Sequence, residues 1–220
     1  MKVKICGITS AKDVEIASKY ADALGFVVEY PEDVPWNLDR DKAAELIKKT
    51  PSTVSTVVIT TGVEQKIIEI LESTVPDAIQ LHGKETLNEV KNIVEYCKGR
   101  GINTIKAVPI GFKKGTSYGK NPIEVGRKFV KIGVEGILFD SKSTGEAGGT
   151  GKTINWNILE EAKKEIDTMI ILAGGLNSTN LREACSIVKP DFVDVITGIE
   201  TNGEKDEEKI KEIYKIAKRC

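Results

Sequence analysis

Two side chains with acid–base chemistry stand where apolar, β-branched runs of the sequence end. Cys6 closes the run at residues 3–6, and Asp140 closes the run at 136–140. A thiolate can act as a base or nucleophile, and a partly desolvated carboxyl can keep a proton long enough to donate it. Each residue also has a structural interpretation, because free cysteine packs as a small apolar side chain and aspartate can cap a loop. Lys4 lies on the same strand face as Cys6, and its charge is expected to lower the pKa of the thiol.

Two glycine signals point to a phosphate site. Gly174 and Gly175 follow the seventh β-branched run, and Thr197-Gly198 follows the eighth. Glycine lets backbone N–H groups approach an anion, and a following helix adds the positive end of its dipole. A third run, Gly148-Gly149-Thr150-Gly151-Lys152-Thr153, is similar to a nucleotide phosphate loop, but Glu146 stands where that motif requires its first glycine.

The elements that position these residues alternate regularly along the chain. Runs of strand type are predicted at 3–6, 22–28, 54–60, 77–81, 102–108, 136–140, 168–173 and 191–197. Runs of helical period are predicted at 11–20, 39–49, 64–73, 85–99, 121–132, 155–166, 178–188 and 206–218. Strands that alternate with helices must be parallel, and eight such units in 220 residues predict a closed (β/α)8 TIM barrel forming one domain over 1–220. In this architecture, active sites lie at the carboxyl ends of the strands, where the Gly/Lys/Ser-rich loops 111–121 and 141–153 also follow strands.

Two further residues near strand ends carry alternative interpretations. His82, the single histidine of the chain, is either an acid–base catalyst or a hydrogen-bonding group at the end of its strand, and we favour the second. Lys106 is either a Schiff-base lysine of an aldolase or a barrel-interior lysine paired with a carboxylate such as Asp194, and we again favour the second.

Composition and charge exclude several function classes. The chain carries 32 basic and 33 acidic residues, for a net charge of −1, which argues against nucleic acid as a partner because neutralising phosphates requires a basic excess. The amino terminus enters a strand rather than an export signal, and no apolar run is long enough to span a membrane. The four cysteines show no CxxC spacing, so we expect reduced thiols in a cytoplasmic protein and no metal site.

The residues of several motifs together resemble a known family. The chain resembles the phosphoribosylanthranilate isomerases of tryptophan biosynthesis over nearly its whole length, through Lys4-Ile5-Cys6-Gly7-Ile8-Thr9, Ala23-Leu24-Gly25-Phe26, Gln80-Leu81-His82-Gly83, Phe139-Asp140-Ser141, Gly148-Gly149-Thr150-Gly151 with Trp156, Leu172-Ala173-Gly174-Gly175-Leu176, Val193-Asp194-Val195, Thr197-Gly198-Ile199-Glu200 and Gly203-Glu204-Lys205-Asp206. The resemblance implies an Amadori rearrangement of N-(5-phosphoribosyl)anthranilate to the corresponding carboxyphenylamino-deoxyribulose phosphate.

The resemblance also implies residue roles. Cys6 would be the general base that removes the proton from C2′, and Asp140 the general acid that protonates the ribose ring oxygen. The phosphate would be held by Gly149, Gly151, Gly174, Gly175, Thr197 and Gly198. The rest of the substrate would be contacted by Trp36, Arg40, His82 and Asp194. The substrate nitrogen can act as the electron sink, so we expect no metal or organic cofactor. The expected partner is a phosphorylated small molecule, with neither nucleic acid nor membrane, and the expected assembly is a monomer or homodimer.

The chain departs from the family at the amine end of the substrate. Trp36 aligns where the family usually carries the arginine that binds the anthranilate carboxylate, and the chain has only five arginines. Tryptophan can stack on the ring but cannot form a bidentate ion pair with a carboxylate. Either Arg40 or a lysine supplies the charge, or the enzyme is a related sugar-phosphate aminoaldose–ketose isomerase whose substrate has a different amine end. A catalytically silent phosphate-binding protein is the alternative outside the enzymes.

Overall fold

The structure is a computed structural model that describes residues 1–110, 121–140 and 156–220. Eight parallel strands follow one another through this part of the chain, at β1 Lys2–Cys6, β2 Ala23–Val28, β3 Ser55–Thr60, β4 Ala78–Leu81, β5 Asn103–Pro109, β6 Gly136–Asp140, β7 Met169–Ala173 and β8 Phe192–Val195. Each is followed along the chain by a helix, at α1 Ala11–Ala17, α2 Arg40–Lys49, α3 Glu64–Thr74, α4 Leu87–Lys98, α5 Pro122–Lys131, α6 Trp156–Glu165, α7 Leu181–Val188 and α8 Glu207–Ala217.

The sheet closes on itself between its first and last strands. Lys4 on β1 pairs with Ala23 on β2 and with Asp194 on β8, both in parallel, and the remaining neighbours follow the order of the chain. Closure removes the exposed strand edges that an open sheet would leave. The predicted (β/α)8 barrel is confirmed.

Side chains alternate between two apolar layers. Residues such as Ala23, Val57 and Leu138 form a small cluster inside the barrel. A larger cluster joins the outward-facing strand residues, such as Phe26, to the buried faces of the helices. Because successive strand residues point to opposite faces, this division fixes which polar residues lie inside the barrel.

Helix ends carry the expected caps. Ser10 begins α1 in a capping box with Asp13, and Asp39 accepts a hydrogen bond from the Lys42 amide at the start of α2. These side chains satisfy backbone donors that the first helical turn leaves without partners. Gly99 is the C-cap residue of α4. Among the described residues, no helix is both long and apolar enough to cross a membrane.

The eighth strand differs from its prediction. It ends at Val195 rather than 197, because Ile196 leaves extended geometry with φ −126° and ψ −73°, and a 3-10 turn follows at Thr197–Ile199. Two short pairings were not predicted. Asn37–Leu38 adds to the end of β2, and Glu200–Thr201 pairs antiparallel with Glu204–Lys205.

Candidate active site

Cys6 ends β1 with its side chain inside the barrel and only 8% of its surface exposed. Its neighbour on β2 is Gly25, where a Cβ atom would lie 2.8 Å from the Cys6 Sγ. The absence of a side chain on Gly25 therefore leaves the space that the thiol occupies. Gly7 follows with φ +73°, a conformation that glycine adopts at little cost, and it turns the chain away from the barrel.

A buried ion pair lies one inward-facing position below Cys6. The Lys4 ammonium donates to Asp194 Oδ2 at 2.7 Å and to Gln80 Oε1 at 2.9 Å, and the Lys4 side chain is 1% exposed. Burial is the largest influence and lowers the pKa of Lys4, but the charges and hydrogen bonds of Asp194 and Cys6 together outweigh it, so the net shift is upward. The second Asp194 oxygen, Oδ1, is buried without a hydrogen-bond partner among the described residues.

Burial raises the pKa of the Cys6 thiol above its ordinary value, and Asp194 acts in the same direction. The positive charges of Lys4 and Lys205 oppose this shift. The predicted effect of Lys4 therefore has the correct sign, but burial outweighs it. The thiolate form needed by a base is favoured by the lysines and disfavoured by the apolar surroundings.

His82 connects this layer to Asp140. The Gln80 Nε2 atom lies 2.9 Å from His82 Nδ1, and His82 Nε2 lies 3.5 Å from Asp140 Oδ2. Tyr30 donates from its hydroxyl to the His82 carbonyl at 2.9 Å and sets its ring edge-on to the imidazole. His82 thus makes the hydrogen bond predicted at the end of its strand, and the structure brings both predicted catalytic residues to one connected set of polar side chains.

Trp36 and Arg40, predicted to contact the substrate, lie in different surroundings. The Trp36 indole N–H donates to Glu200 Oε1 at 2.8 Å, and its ring packs against Gly7 and the cluster inside the barrel. The Arg40 guanidinium donates to both Glu29 oxygens at 2.6 and 3.0 Å and to Glu69 at 3.4 Å. The structure therefore brings Trp36, but not Arg40, next to the end of β1.

A cavity of about 280 Å³ opens beside Trp36. Its walls include two lysines that sequence analysis did not identify as site residues, Lys12 and Lys205, paired with Glu204 and Glu200 respectively. Lys205 is buried, whereas the side chain of Lys12 is 67% exposed. Lys205 is part of the motif Gly203-Glu204-Lys205-Asp206 noted in the sequence. Its place beside the barrel mouth depends on the short hairpin of Glu200–Thr201 and Glu204–Lys205.

The two predicted phosphate loops meet at the ends of β7 and β8. Gly174 and Gly175 both have positive φ, at 95° and 67°, and Gly198 lies so close to the Leu176 carbonyl oxygen that a Cβ would overlap it. Thr197 sits in the 3-10 turn at the same place. A side chain at position 198 would collide with the loop after β7. The absence of one on Gly198 therefore allows the two loops to pack against each other. Gly149, Gly151 and the segment 141–153 lie outside the described residues, as does 111–120.

The predicted environment of Lys106 is wrong. Its neighbours Ile105 and Ala107 face the barrel interior, so Lys106 faces the helices, with its ammonium 5.6 Å from the centre of the Phe129 ring. It pairs with Glu85 at 3.0 Å rather than with Asp194. Burial lowers the pKa of Lys106, against the opposing charge of Glu85. This position on the opposite side of the sheet from Cys6 argues against the aldolase alternative.

All four cysteines are free, and Cys97 and Cys185 are buried away from the barrel mouth. Among the described residues, no group of three or more His, Cys, Asp or Glu side chains is arranged to hold a metal ion. A closed parallel barrel with a buried thiol and a carboxylate at its carboxyl-terminal mouth has the architecture of (β/α)8-barrel enzymes, whose active sites lie at that mouth.

Comparison with known proteins identifies the family. A family model described as N-(5'phosphoribosyl)anthranilate (PRA) isomerase matches residues 3–216. The N-(5'-phosphoribosyl)anthranilate isomerase of Methanosarcina acetivorans is 36% identical over 217 residues, covering 96% of this chain and 90% of that protein. The crystal structure of phosphoribosyl anthranilate isomerase from Thermotoga maritima has a TM-score of 0.84 at 32% identity and covers 100% of both chains.

A further structure is of a phosphoribosyl anthranilate isomerase in complex with reduced 1-(o-carboxyphenylamino)-1-deoxyribulose 5-phosphate. It has a TM-score of 0.80 at 29% identity, with 100% of both chains covered. This chain belongs to the N-(5'-phosphoribosyl)anthranilate isomerase family, a family of isomerases, as the motifs predicted.

Proposed function

We propose that this protein catalyses the Amadori rearrangement of N-(5'-phosphoribosyl)anthranilate in tryptophan biosynthesis, with Cys6 as general base and Asp140 as general acid. The observation that carries the proposal is the set of contacts that runs from Lys4 through Gln80 and His82 to Asp140, with Cys6 hydrogen-bonded to Lys4 at the other end. Family membership supplies the substrate class, and the chemistry of the two side chains supplies the roles.

The reaction requires one proton to be given and one to be taken. Asp140 donates a proton to the ribose ring oxygen while the nitrogen lone pair expels that oxygen from C1′, which opens the ring to an iminium ion. The Cys6 thiolate then removes the proton from C2′, the electron pair of that C–H bond forms the C1′=C2′ double bond, and the π pair of the iminium moves to its nitrogen. The resulting enolamine becomes the ketose by gaining a proton at C1′ and losing one from the C2′ hydroxyl. The substrate nitrogen accepts the electrons, so these steps use only the side chains named.

The phosphate end of the substrate is assigned to the loops after β7 and β8. Glycine allows a close approach of the backbone to an anion at the usual phosphate position of barrels, and Thr197 lies in the same place. Gly149 and Gly151 retain their predicted role as further phosphate contacts. Asp194 is assigned to a sugar hydroxyl, because its buried Oδ1 has unused acceptor capacity.

The anthranilate carboxylate is assigned to a lysine rather than to Arg40. Arg40 is held by Glu29 and Glu69, whereas Trp36 lies against Gly7 at the end of β1. Lys12 and Lys205 line the cavity beside Trp36, and the indole ring offers a face for the anthranilate ring. Expected KM increases for Lys12→Met and Lys205→Met, with Arg40→Met as comparison, test this assignment.

The alternative is a related aminoaldose–ketose isomerase whose substrate lacks that carboxylate. It is favoured by Trp36 and by the Glu200 carboxylate that Trp36 contacts. Measuring kcat/KM for the anthranilate substrate and for the same phosphoribosyl amine built on aniline separates the two. A lysine-bound carboxylate predicts roughly a tenfold or greater preference for anthranilate, whereas equal rates or a preference for aniline would favour the alternative.

The catalytic roles are tested by loss of anthranilate-type fluorescence when enzyme is added to freshly made substrate. Cys6→Ala and Asp140→Asn should each lower kcat by about 100-fold or more, whereas Cys220→Ala and Asp167→Asn, changes of the same type at exposed positions, should leave it unchanged. Wild-type kcat in either catalytic variant would refute the role of that residue. A folded wild-type protein without turnover would refute the function itself.

A further inference from the structure

We propose that Lys4 and Gln80 hold His82 in the Nε2–H tautomer, so that His82 is a positioning residue that presents an N–H donor to Asp140. The proposal rests on the proposed function, since it assigns His82 a task toward the general acid. It is argued from three contacts that form one chain inside the barrel.

The first contact fixes the orientation of the Gln80 amide. An ammonium group can only donate hydrogen bonds, so the Gln80 atom 2.9 Å from Lys4 Nζ must be the oxygen. Asp194, 2.7 Å from the same ammonium, keeps Lys4 charged. A rotated Gln80 amide would set its NH2 group against three N–H bonds of Lys4, an arrangement of donors without an acceptor. Burial of Lys4 and Gln80 keeps out water that could relieve that conflict.

The second contact transfers this orientation to the imidazole. With its oxygen turned to Lys4, Gln80 presents NH2 to His82 Nδ1 at 2.9 Å, and Nδ1 must therefore be the acceptor nitrogen. In a neutral imidazole the other nitrogen then carries the proton. The ring is thus set by the charge of Lys4, two residues away along the chain of contacts.

The third contact places the protonated nitrogen of His82 next to Asp140. His82 Nε2 faces Asp140 Oδ2 at 3.5 Å, a separation from which a small movement completes a hydrogen bond. A neutral N–H donor stabilises the carboxylate that forms as Asp140 gives up its proton. An imidazolium at the same place would instead form an ion pair with Asp140 and hold it ionised, unable to act as an acid. The contact of Gln80 with Nδ1 therefore directs the Nε2 side of the ring, as a donor, toward Asp140.

The chain has a single histidine, which makes the tautomer directly measurable. In protein labelled with 15N-histidine, at about pH 8, above the ordinary histidine pKa, the spectrum contains one pair of ring nitrogens. We expect Nδ1 to resonate as an unprotonated nitrogen and Nε2 as a protonated one. In Gln80→Glu the new carboxylate accepts from both neighbours, so Nδ1 should become protonated. Gln65→Glu, the same change at an exposed position, should leave the spectrum unaltered.

Kinetics of two His82 variants test the role toward Asp140 without changing Gln80. A glutamine at position 82 can place an NH2 group near the former Nε2 atom, whereas an asparagine reaches only the position of Nδ1. We expect His82→Asn to lower kcat about 10- to 100-fold, the range for losing one hydrogen bond to a charged group. His82→Gln should recover much of this loss, with KM little changed in either variant.

Two results would show that Gln80 does not fix the tautomer of His82. One is an Nδ1–H tautomer in the wild type, and the other is an unchanged 15N spectrum of the ring in a folded Gln80→Glu protein. Equal kcat in the two His82 variants would overturn the role toward Asp140. The spectra need no substrate. If Gln80→Glu does not fold, the wild-type spectrum alone still tests which tautomer His82 adopts. An Nε2–H tautomer in a wild type without isomerase activity would instead refute the proposed function, and with it the role toward Asp140.

Discussion

Replacing Gly25 by alanine tests whether the position of the Cys6 sulfur controls catalysis. The added Cβ would lie 2.8 Å from Sγ, 3.0 Å from Ile59 Cδ1 and 3.2 Å from the Cys6 Cα. Non-bonded heavy atoms prefer separations of about 3.5–4.0 Å, so the sulfur must retreat by about 0.7 Å or more. The tip of Ile59 can rotate away, but the backbone of β1 is held between β2 and β8 and cannot follow.

The substitution is expected to lower both the catalytic rate and the stability of the fold, by comparable free energies. Displacing a reacting group by about 1 Å can lower a rate by about 100-fold, so we expect kcat of Gly25→Ala to fall roughly 10- to 100-fold. That loss corresponds to about 1.4–2.7 kcal/mol of transition-state stabilisation. Overpacking the barrel interior by one methyl group should lower the free energy of unfolding by about 1–3 kcal/mol.

The assay is the loss of substrate fluorescence, with unfolding followed separately in urea. Gly99→Ala is the matched control, because Gly99 has φ −67° at the end of α4 and an added Cβ would approach nothing closer than Tyr96 O at 3.9 Å. It should keep wild-type kcat. If Gly25→Ala is folded and turns over at the wild-type rate, the sulfur is not required where the structure has it, and the assignment of Cys6 as base is refuted.

Three further results are expected. Because burial raises the pKa of the Cys6 thiol and the base must be a thiolate, kcat/KM should increase with pH from neutral into the alkaline range; a pH profile flat over that range would contradict this. Lys106→Met should lower the free energy of unfolding in urea by about 3–5 kcal/mol, because it leaves Glu85 buried without its cationic partner, and its kcat should be unchanged. Borohydride should trap no covalent adduct with the wild-type protein. Trp36→Phe, which removes the donor to Glu200, should raise KM about tenfold with a smaller change in kcat; an unchanged KM would place the amine end elsewhere.

The barrel and the location of Cys6 and Asp140 at its mouth were predictable, because the patterns that distinguish strands from helices are local in the sequence. β-Branched runs separated by helical periods predict parallel strands, and once the strands are parallel their carboxyl ends must share one mouth. Cys6 and Asp140 follow directly from that rule. Alternation along β1 likewise puts Lys4 on the face of Cys6, as the structure has it.

Lys106 shows where the same reasoning fails. In a parallel barrel both faces of every strand are buried, so a polar residue such as Lys106 in β5 does not show which face of the strand is inside. The partner of Lys106 is Glu85, which lies in the loop before α4, and pairing across that distance depends on where the loop folds back. A buried lysine was predictable, but its side of the sheet was not.

The prediction of where β8 ends is wrong for a related reason. Val195, Ile196 and Thr197 are all β-branched, and propensity alone continues the strand through them. The chain instead turns at Ile196 because Gly198 must pack against the Leu176 carbonyl of the preceding loop. That contact belongs to the tertiary structure, and no local pattern in the sequence of β8 encodes it.

The amine end of the site depends on contacts between residues that are distant in sequence. Trp36 and Glu200 are 164 positions apart, and they meet because closure of the barrel sets the loops after β2 and β8 on either side of β1. Glu200 in turn accepts from Lys205 at 2.7 Å. If the proposed lysine site is correct, the charge that a substrate carboxylate meets here is set jointly by Trp36, Glu200 and Lys205, so a change at position 36 alone also alters the contacts of Glu200.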